Sequence, residues 1–95
     1  MRVISHRPIV EAAKRHPDAA AALDNWYRIT QRAKWRNLTE TRRDFGHADP
    51  VGGLTVFNIK GNKYRMITLI NYVTQKVFVR GFFTHPEYNR GGWKK

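Results

Sequence analysis

The sequence predicts an α+β fold in which N-terminal helices pack on one face of a small antiparallel β-sheet. Two observations carry this expectation. Apolar residues recur at three- and four-residue steps through the first third of the chain, and after Gly53 the period changes to two. Length is the third. Ninety-five residues, 41% hydrophobic and 13% aromatic, supply one core and are too few for two, so residues 1–95 are expected to form a single domain.

Met1–Ser5 is short and apolar-leaning, an edge strand for a sheet completed later in the chain. Pro8 suits the first turn of a helix, where its missing N–H costs nothing, and Ile9, Val10 and Ala13 give that helix an apolar stripe up to Pro17. Asp18 is the expected N-cap of a second helix, whose buried face is Ala19, Ala22, Leu23, Trp26, Ile29, Thr30 and Ala33. A further helical turn is expected from Thr39, as a cap, to Phe45. His47, Asp49, Pro50, Gly52 and Gly53 then read as a break in regular structure.

Three strands are expected, at about Leu54–Lys60, Lys63–Tyr72 and Val77–Phe83. Gly61-Asn62 supplies the positive φ of a two-residue hairpin turn, which pairs Lys60 with Lys63 and Asn58 with Arg65. With a side-chain period of two, Phe57, Ile59, Tyr64, Met66 and Ile70 face the core. Val56, Asn58, Lys60, Lys63, Arg65, Ile67 and Leu69 face the other way. A turn at Thr74-Gln75 adds Arg80, Phe82 and Thr84 to this second face and sends Val77, Val79 and Phe83 to the core; a β-bulge in the last strand would reverse the order.

Eighteen Lys and Arg against seven Asp and Glu give a net charge of +11, which on so small a surface points to a phosphate polymer. No apolar run approaches the ~18 residues of a membrane span, and no long basic amphipathic helix suits a membrane surface. The absence of cysteine excludes disulfides, thiolate metal sites and a Cys nucleophile. Met1–His6 lacks the apolar core of a secretory signal, so a cytoplasmic location is expected. No paired carboxylates, Gly-rich phosphate loop or metal-ligand spacing occurs, so the expected site has no cofactor and no metal.

The chemistry-bearing residues cluster late in the chain. Like charges opposite each other on a hairpin are costly, and Lys60, Lys63 and Arg65 crowd one end of one face; edge protection by the lysines is the competing explanation. Arg65 and Arg80, inside strands, offer planar forks that bind phosphate oxygens in two places, although an ion pair of Arg80 with Glu40 or Asp44 is the alternative. Thr84–Arg90 brings together His85, which titrates near neutrality, Tyr88, and Arg90. His6, His16 and His47 lie in a terminus, a helix end and a turn without such company. Trp26, Tyr27 and Trp35 read as core or as a partner-contact surface; Tyr88 reads as a group that stacks on a base, donates a proton or caps the core, and Trp93 has the same ambiguity. A metal-free route that uses these groups exists for RNA, whose 2′-hydroxyl attacks the adjacent phosphorus when held in line.

The run Val56–Arg65, followed by Ile70-Asn71-Tyr72, Val79-Arg80 and Thr84-His85-Pro86-Glu87-Tyr88, resembles the HigB-family toxins of bacterial toxin–antitoxin systems. His16–Ala19, Trp26-Tyr27 and Trp93-Lys94 extend the likeness over nearly the whole chain. The resemblance implies a RelE-like fold whose exposed sheet face cuts messenger RNA, typically on the ribosome. It also implies a HigA-type helix-turn-helix antitoxin and joint binding of the two to operator DNA. Position by position, it implies Lys60, Arg65, Arg80, His85 and Tyr88 as catalytic residues, with His85 as proton donor, the lysines assisting the 2′-oxygen and the arginines stabilising the phosphorane. Asn58, Asn62, Lys63 and Arg90 would bind RNA. Asn89, where relatives commonly have Asp, and the stiff Pro86 depart from the family pattern. The free toxin is expected to be monomeric. A non-catalytic RNA- or ribosome-binding module fits the charge equally well, whereas a helix-turn-helix repressor fits poorly because the basic cluster lies on strands.

Overall fold

The computed structural model describes residues 1–94, in the order β1 (Arg2–Ile4), α1 (Arg7–Arg15), a 3-10 turn (Pro17–Ala19), α2 (Ala20–Arg32), α3 (Leu38–Asp44), β2 (Asp49–Val51), β3 (Leu54–Ile59), β4 (Tyr64–Asn71), β5 (Lys76–Thr84), α4 (His85–Arg90) and a second 3-10 turn (Gly92–Lys94). The strands form one sheet in the order β1-β5-β4-β3-β2. All neighbours are antiparallel except β1, which runs parallel to β5 and forms the expected edge. α1 and α2 cover one face, so the predicted α+β architecture is the observed one.

Each helix differs from its expected outline for a local reason. Pro8 starts α1 and Pro17 follows its end, but the buried positions are Ile9 and Ala12, while Val10 is exposed. α2 buries Leu23, Trp26 and Thr30, with Ala22, Ile29 and Ala33 packed beside them, as the periodicity requires. Asp18 does not cap it. The Pro17–Ala19 turn comes first, no side chain caps α2, and the Asp18 carboxylate is engaged with the sheet instead. α3 is capped by Asn37, not Thr39: the Asn37 side chain accepts the Glu40 N–H at 3.0 Å.

The segment expected to be irregular contains a strand. Gly52 and Gly53 both have positive φ, the geometry of a tight hairpin turn, and they fold β2 back so that Val51 lies opposite Leu54 and Asp49 opposite Val56. In the next hairpin Asn58 pairs with Arg65 as predicted, but the strands stop at Ile59 and Tyr64. Lys60 has φ +55°, which turns it and Lys63 out of the ladder.

The third correction is the bulge. Between Ile67 and Thr68 of β4 the register with β5 shifts by one residue: Thr68 lies opposite Val79 and Ile67 opposite Gly81, which leaves Arg80 as the extra residue. Beyond that point the faces exchange. Phe82 pairs with Met66 in the core, and Phe83 pairs with Arg65 on the open face. Arg80 stays on the open side beside Ile67, as its position before the shift dictates.

Trp26 is the largest fully buried side chain and meets Phe57 edge to face at 5.5 Å. Trp26→Ala should cost about 3–5 kcal/mol, a large part of the ~5–15 kcal/mol expected for the whole fold. The indole N–H has no hydrogen-bond partner among the described residues, so Trp26→Phe should be much milder. Urea denaturation of both variants checks the ranking; equal losses would contradict it.

Candidate functional site

The face of the sheet away from α1 and α2 is lined in rows by the strand register. Asn58, Arg65 and Phe83 form one row across β3, β4 and β5, and Asp49, Val56, Ile67 and Gly81 form the next. Val56 and Ile67 are buried although they point this way, because α4 and the turn after it fold over this side of the sheet. Thr84 joins sheet to helix directly. It is both the last residue of β5 and the N-cap of α4, in a capping box in which its hydroxyl accepts the Glu87 N–H and the Glu87 carboxylate accepts the Thr84 N–H. Gly91, with φ +74°, ends α4, and the Trp93 indole donates to the Tyr88 carbonyl at 2.9 Å. Trp93 and Tyr88 therefore stack at 4.9 Å, nearly parallel.

Arg65 is the centre of this arrangement. Its guanidinium donates to the carbonyls of Asn62 and Tyr64 and to the Asn62 side chain at 2.5 Å, and it lies 5.8 Å from the Tyr88 ring centre. Among the described residues no carboxylate pairs with it, so the charge is held in place but not cancelled. Burial holds the Tyr88 phenol above its ordinary pKa, and the Asp49 charge adds to the effect while Arg65 opposes it. That phenol remains a proton donor through the neutral range.

His47 is the residue the sequence reading missed. Burial keeps its imidazole below the ordinary pKa, and the positive charge of Arg65 lowers it further. Its ring packs against Phe45 and Phe57 at the edge of β3, and it lines a cavity of about 310 Å³ there with Ala22, Trp26 and Ile29 of α2 and with Asn58, Lys60 and Gly61. The loop that carries it is pinned by buried Phe45 and Ala48 and by Arg42, which donates to the Ala48 carbonyl at 2.9 Å. A signal for it was present. A two-residue turn at Gly52-Gly53 pairs 51 with 54 and 49 with 56, so the residues just before 49 fall level with the Asn58–Arg65 pair, although the ladder itself stops at Asp49.

Lys60 and Lys63 are not on this face. Both ammonium groups reach Asp18 on the helical side, at 3.4 and 2.6 Å, and the Tyr64 hydroxyl donates to the same carboxylate at 2.8 Å. These hydrogen bonds, with Lys63 and Tyr64 foremost, hold Asp18 far below the usual carboxylate range. Positive φ at Lys60 and a carboxylate within reach together overrule the parity argument.

Arg80 makes no ion pair among the described residues. Glu40 is taken by Arg36, and Asp44 accepts from Trp35, so the anticipated partners are occupied. Arg80 lines a second cavity with Leu54, Ile67, Phe83 and Trp93. His85 is the first residue of α4, and its N–H donates to the Lys63 carbonyl, which sets it at the hairpin end of the sheet. Arg90, in the last turn of the same helix, is exposed. Trp26 and Trp35 are core, while Tyr27 is partly buried against His6. Among the described residues there is no cluster of three or more metal-ligating side chains, and no helix is long and apolar enough to cross a membrane.

Residues 19–91 match the family model of HigB toxins, the RelE-like toxic component of a toxin–antitoxin system. The chain belongs to the HigB toxin family. Relatives of this HigB-family toxin include the mRNA interferase HigB of Escherichia coli O6:H1, strain CFT073, 31% identical over 93 residues that span 95% of this chain and 90% of that one. The mRNA interferase toxin HigB of Escherichia coli K12 is 24% identical over 92 residues, spanning 94% and 88% of the two chains, and the mRNA interferase HigB of Shigella flexneri matches to the same extent. The fold and the family expected from Val56–Arg65 and Thr84–Tyr88 are thus the ones found. As the toxic component of such a system, the protein has an antitoxin as its partner.

Proposed function

We propose that this HigB-family toxin cleaves messenger RNA by metal-independent attack of a 2′-hydroxyl on the adjacent phosphate, with His47, Arg65 and Tyr88 at the reacting atoms. One observation carries this reading: an imidazole at the edge of β3, held towards its neutral form, lies within the field of an uncancelled guanidinium that is itself braced on a phenol on the open sheet face. His47, unprotonated at neutral pH, removes the 2′-proton. Arg65 binds the phosphate in two places and stabilises the extra negative charge of the phosphorane. Tyr88, held protonated, donates to the departing 5′-oxygen. The products are a 2′,3′-cyclic phosphate and a free 5′-hydroxyl.

Asn58, beside Arg65, and Asn62, which orients it, complete the grip on this nucleotide. Arg80 holds the neighbouring nucleotide, across the bulge. His85 and Arg90, on α4, meet the strand at the rim, so His85 supports binding and His47 takes the proton-transfer role that its company fits better. Lys60 and Lys63 act indirectly, through the field they add at the hairpin end. The message is engaged on the ribosome in the cytoplasm, and the partner is a HigA-type helix-turn-helix antitoxin that carries the toxin to operator DNA.

Induction of the chain in bacteria, followed by mapping of RNA ends, tests the reading. New 5′-hydroxyl ends within translated messages, suppressed when the cognate antitoxin is co-expressed, are expected. RNA binding with no new ends would favour a non-catalytic binding module instead.

A further inference from the structure

The hairpin that carries Arg65 is tied down from the far side of the sheet. Its tip lies outside the ladder, with φ +55° at Lys60 and +62° at Gly61, and Lys60, Lys63 and Arg65 crowd positive charge around it. Like charges so close push the tip open. One carboxylate opposes this. Asp18 accepts from Lys63 Nζ at 2.6 Å, from Lys60 Nζ at 3.4 Å and from the Tyr64 hydroxyl at 2.8 Å, and so holds both sides of the turn at once. The Tyr64 ring is buried, stacked on Phe82 at 5.0 Å and against His16 at 4.9 Å, which roots the third donor in the core. A single exposed ion pair contributes little; the convergence of three donors on one carboxylate is what fixes the geometry.

The fastened segment is also the one that holds the reaction site. Asn62 lies between the two lysines, and its carbonyl and side chain accept from the Arg65 guanidinium, with the Tyr64 carbonyl as the other acceptor. The Lys63 carbonyl accepts the His85 N–H at 3.0 Å and so seats the first turn of α4, the helix of Tyr88.

We infer that Asp18 is a positioning residue for the reaction: from the helical side it clamps the hairpin tip, keeps Asn62 where it orients Arg65, and draws the Lys60 and Lys63 ammonium groups off the RNA face. This rests on the reading of Arg65 as the group that binds the reacting phosphate. Without the clamp the guanidinium loses its fixed acceptors, and two released ammonium groups become free to bind phosphates elsewhere along the RNA. Affinity and rate then part: RNA is held as tightly or more tightly, and is cut more slowly.

The test compares the wild type with Asp18→Asn, Asp18→Glu, and Asp18→Asn combined with Arg65→Ala. Single-turnover cleavage gives the rate, and 2′-O-methyl RNA, which is not cut, gives the affinity as a function of salt. Asp18→Asn should slow cleavage by about 10- to 10²-fold, up to the loss that goes with misplacing a catalytic group by about 1 Å. Binding should be unchanged or tighter, with a plot of log affinity against log salt steeper by about 0.7 for each released lysine that pairs with a phosphate. Asp18→Glu keeps the charge and should recover part of the rate. In the Arg65→Ala background Asp18→Asn should cost less than about twofold, because the group it positions is gone. An unchanged rate, a parallel loss of rate and affinity, or full additivity with Arg65→Ala would each overturn the inference. The Arg65 Nε–H nuclear magnetic resonance signal reads the same positioning without cleavage: it should be sharp in the wild type and should broaden or exchange faster with solvent in Asp18→Asn. A signal indifferent to Asp18→Asn sinks the clamp, whereas a signal that responds in a protein that cuts no RNA supports the clamp and strikes at the cleavage reading alone. Where Asp18→Asn folds poorly, Lys63→Gln takes its place, since it removes the shortest of the three bonds and should lower the rate and disturb the Arg65 signal alike.

Discussion

His47→Ala should slow RNA cleavage by about 10²–10⁴-fold, the usual contribution of a positioned general base, with little change in RNA affinity or melting temperature. The imidazole is open to solvent on one side and rests on Phe45 and Phe57 on the other, and its loop is anchored through Phe45, Ala48 and Arg42, so truncation removes a proton acceptor and only peripheral ring contacts. The pH profile separates this from a structural effect. Burial and the Arg65 charge hold His47 below the ordinary value of about 6.5. The base works unprotonated, so the wild-type rate should persist through the ordinary histidine range and fall only at more acidic pH. In the Ala variant that acid limb should vanish from the residual rate. An acid limb unchanged in His47→Ala would assign the proton transfer to another group, with His85 next in line.

The second large effect is at Arg65. Removing one preorganised charge donor from a developing oxyanion costs about 10²–10³-fold, and Arg65→Ala should lose at least that much. Arg65→Lys should recover only part of it, because an ammonium keeps the charge but not the planar fork that Asn62 and Tyr88 hold in place. A further sign links the two residues. Arg65 disfavours protonation of His47, so without it the His47 pKa rises and the acid limb of the residual activity moves to higher pH. Single-turnover rates across pH check both statements. A limb that stays in place in Arg65→Ala would show that the two groups do not sense each other.

These expectations depend on which side chains share a face, and that was only partly legible in the sequence. The pairing of Asn58 with Arg65 followed from a short hairpin and a period of two, both local properties, and the structure keeps it. The exchange of Phe82 and Phe83 was not readable. A bulge is one unpaired residue whose position depends on how two strands meet, and Phe-Phe looks the same from either side. Asp18 misled for a related reason. Its local chemistry suits a helix cap, but Lys63 and Tyr64, more than forty residues away, offer the carboxylate stronger partners. His47 was hidden because Asp49-Pro50-Val51 is too short and too polar to read as a strand, and it is the loop leading into that strand that carries His47 to the edge of β3, within the field of Arg65.

Thr84 belongs at once to the last strand and to the cap of α4, with no linker between them. The consequence is a lid without a hinge. Tyr88 and Trp93 cannot swing away from the sheet unless the capping box opens or β5 frays, so the entropy of ordering this wall of the site is spent during folding and not at each encounter with RNA. Substrate then meets a surface already in its working shape, and differences in affinity among RNAs should reside mainly in how fast they leave.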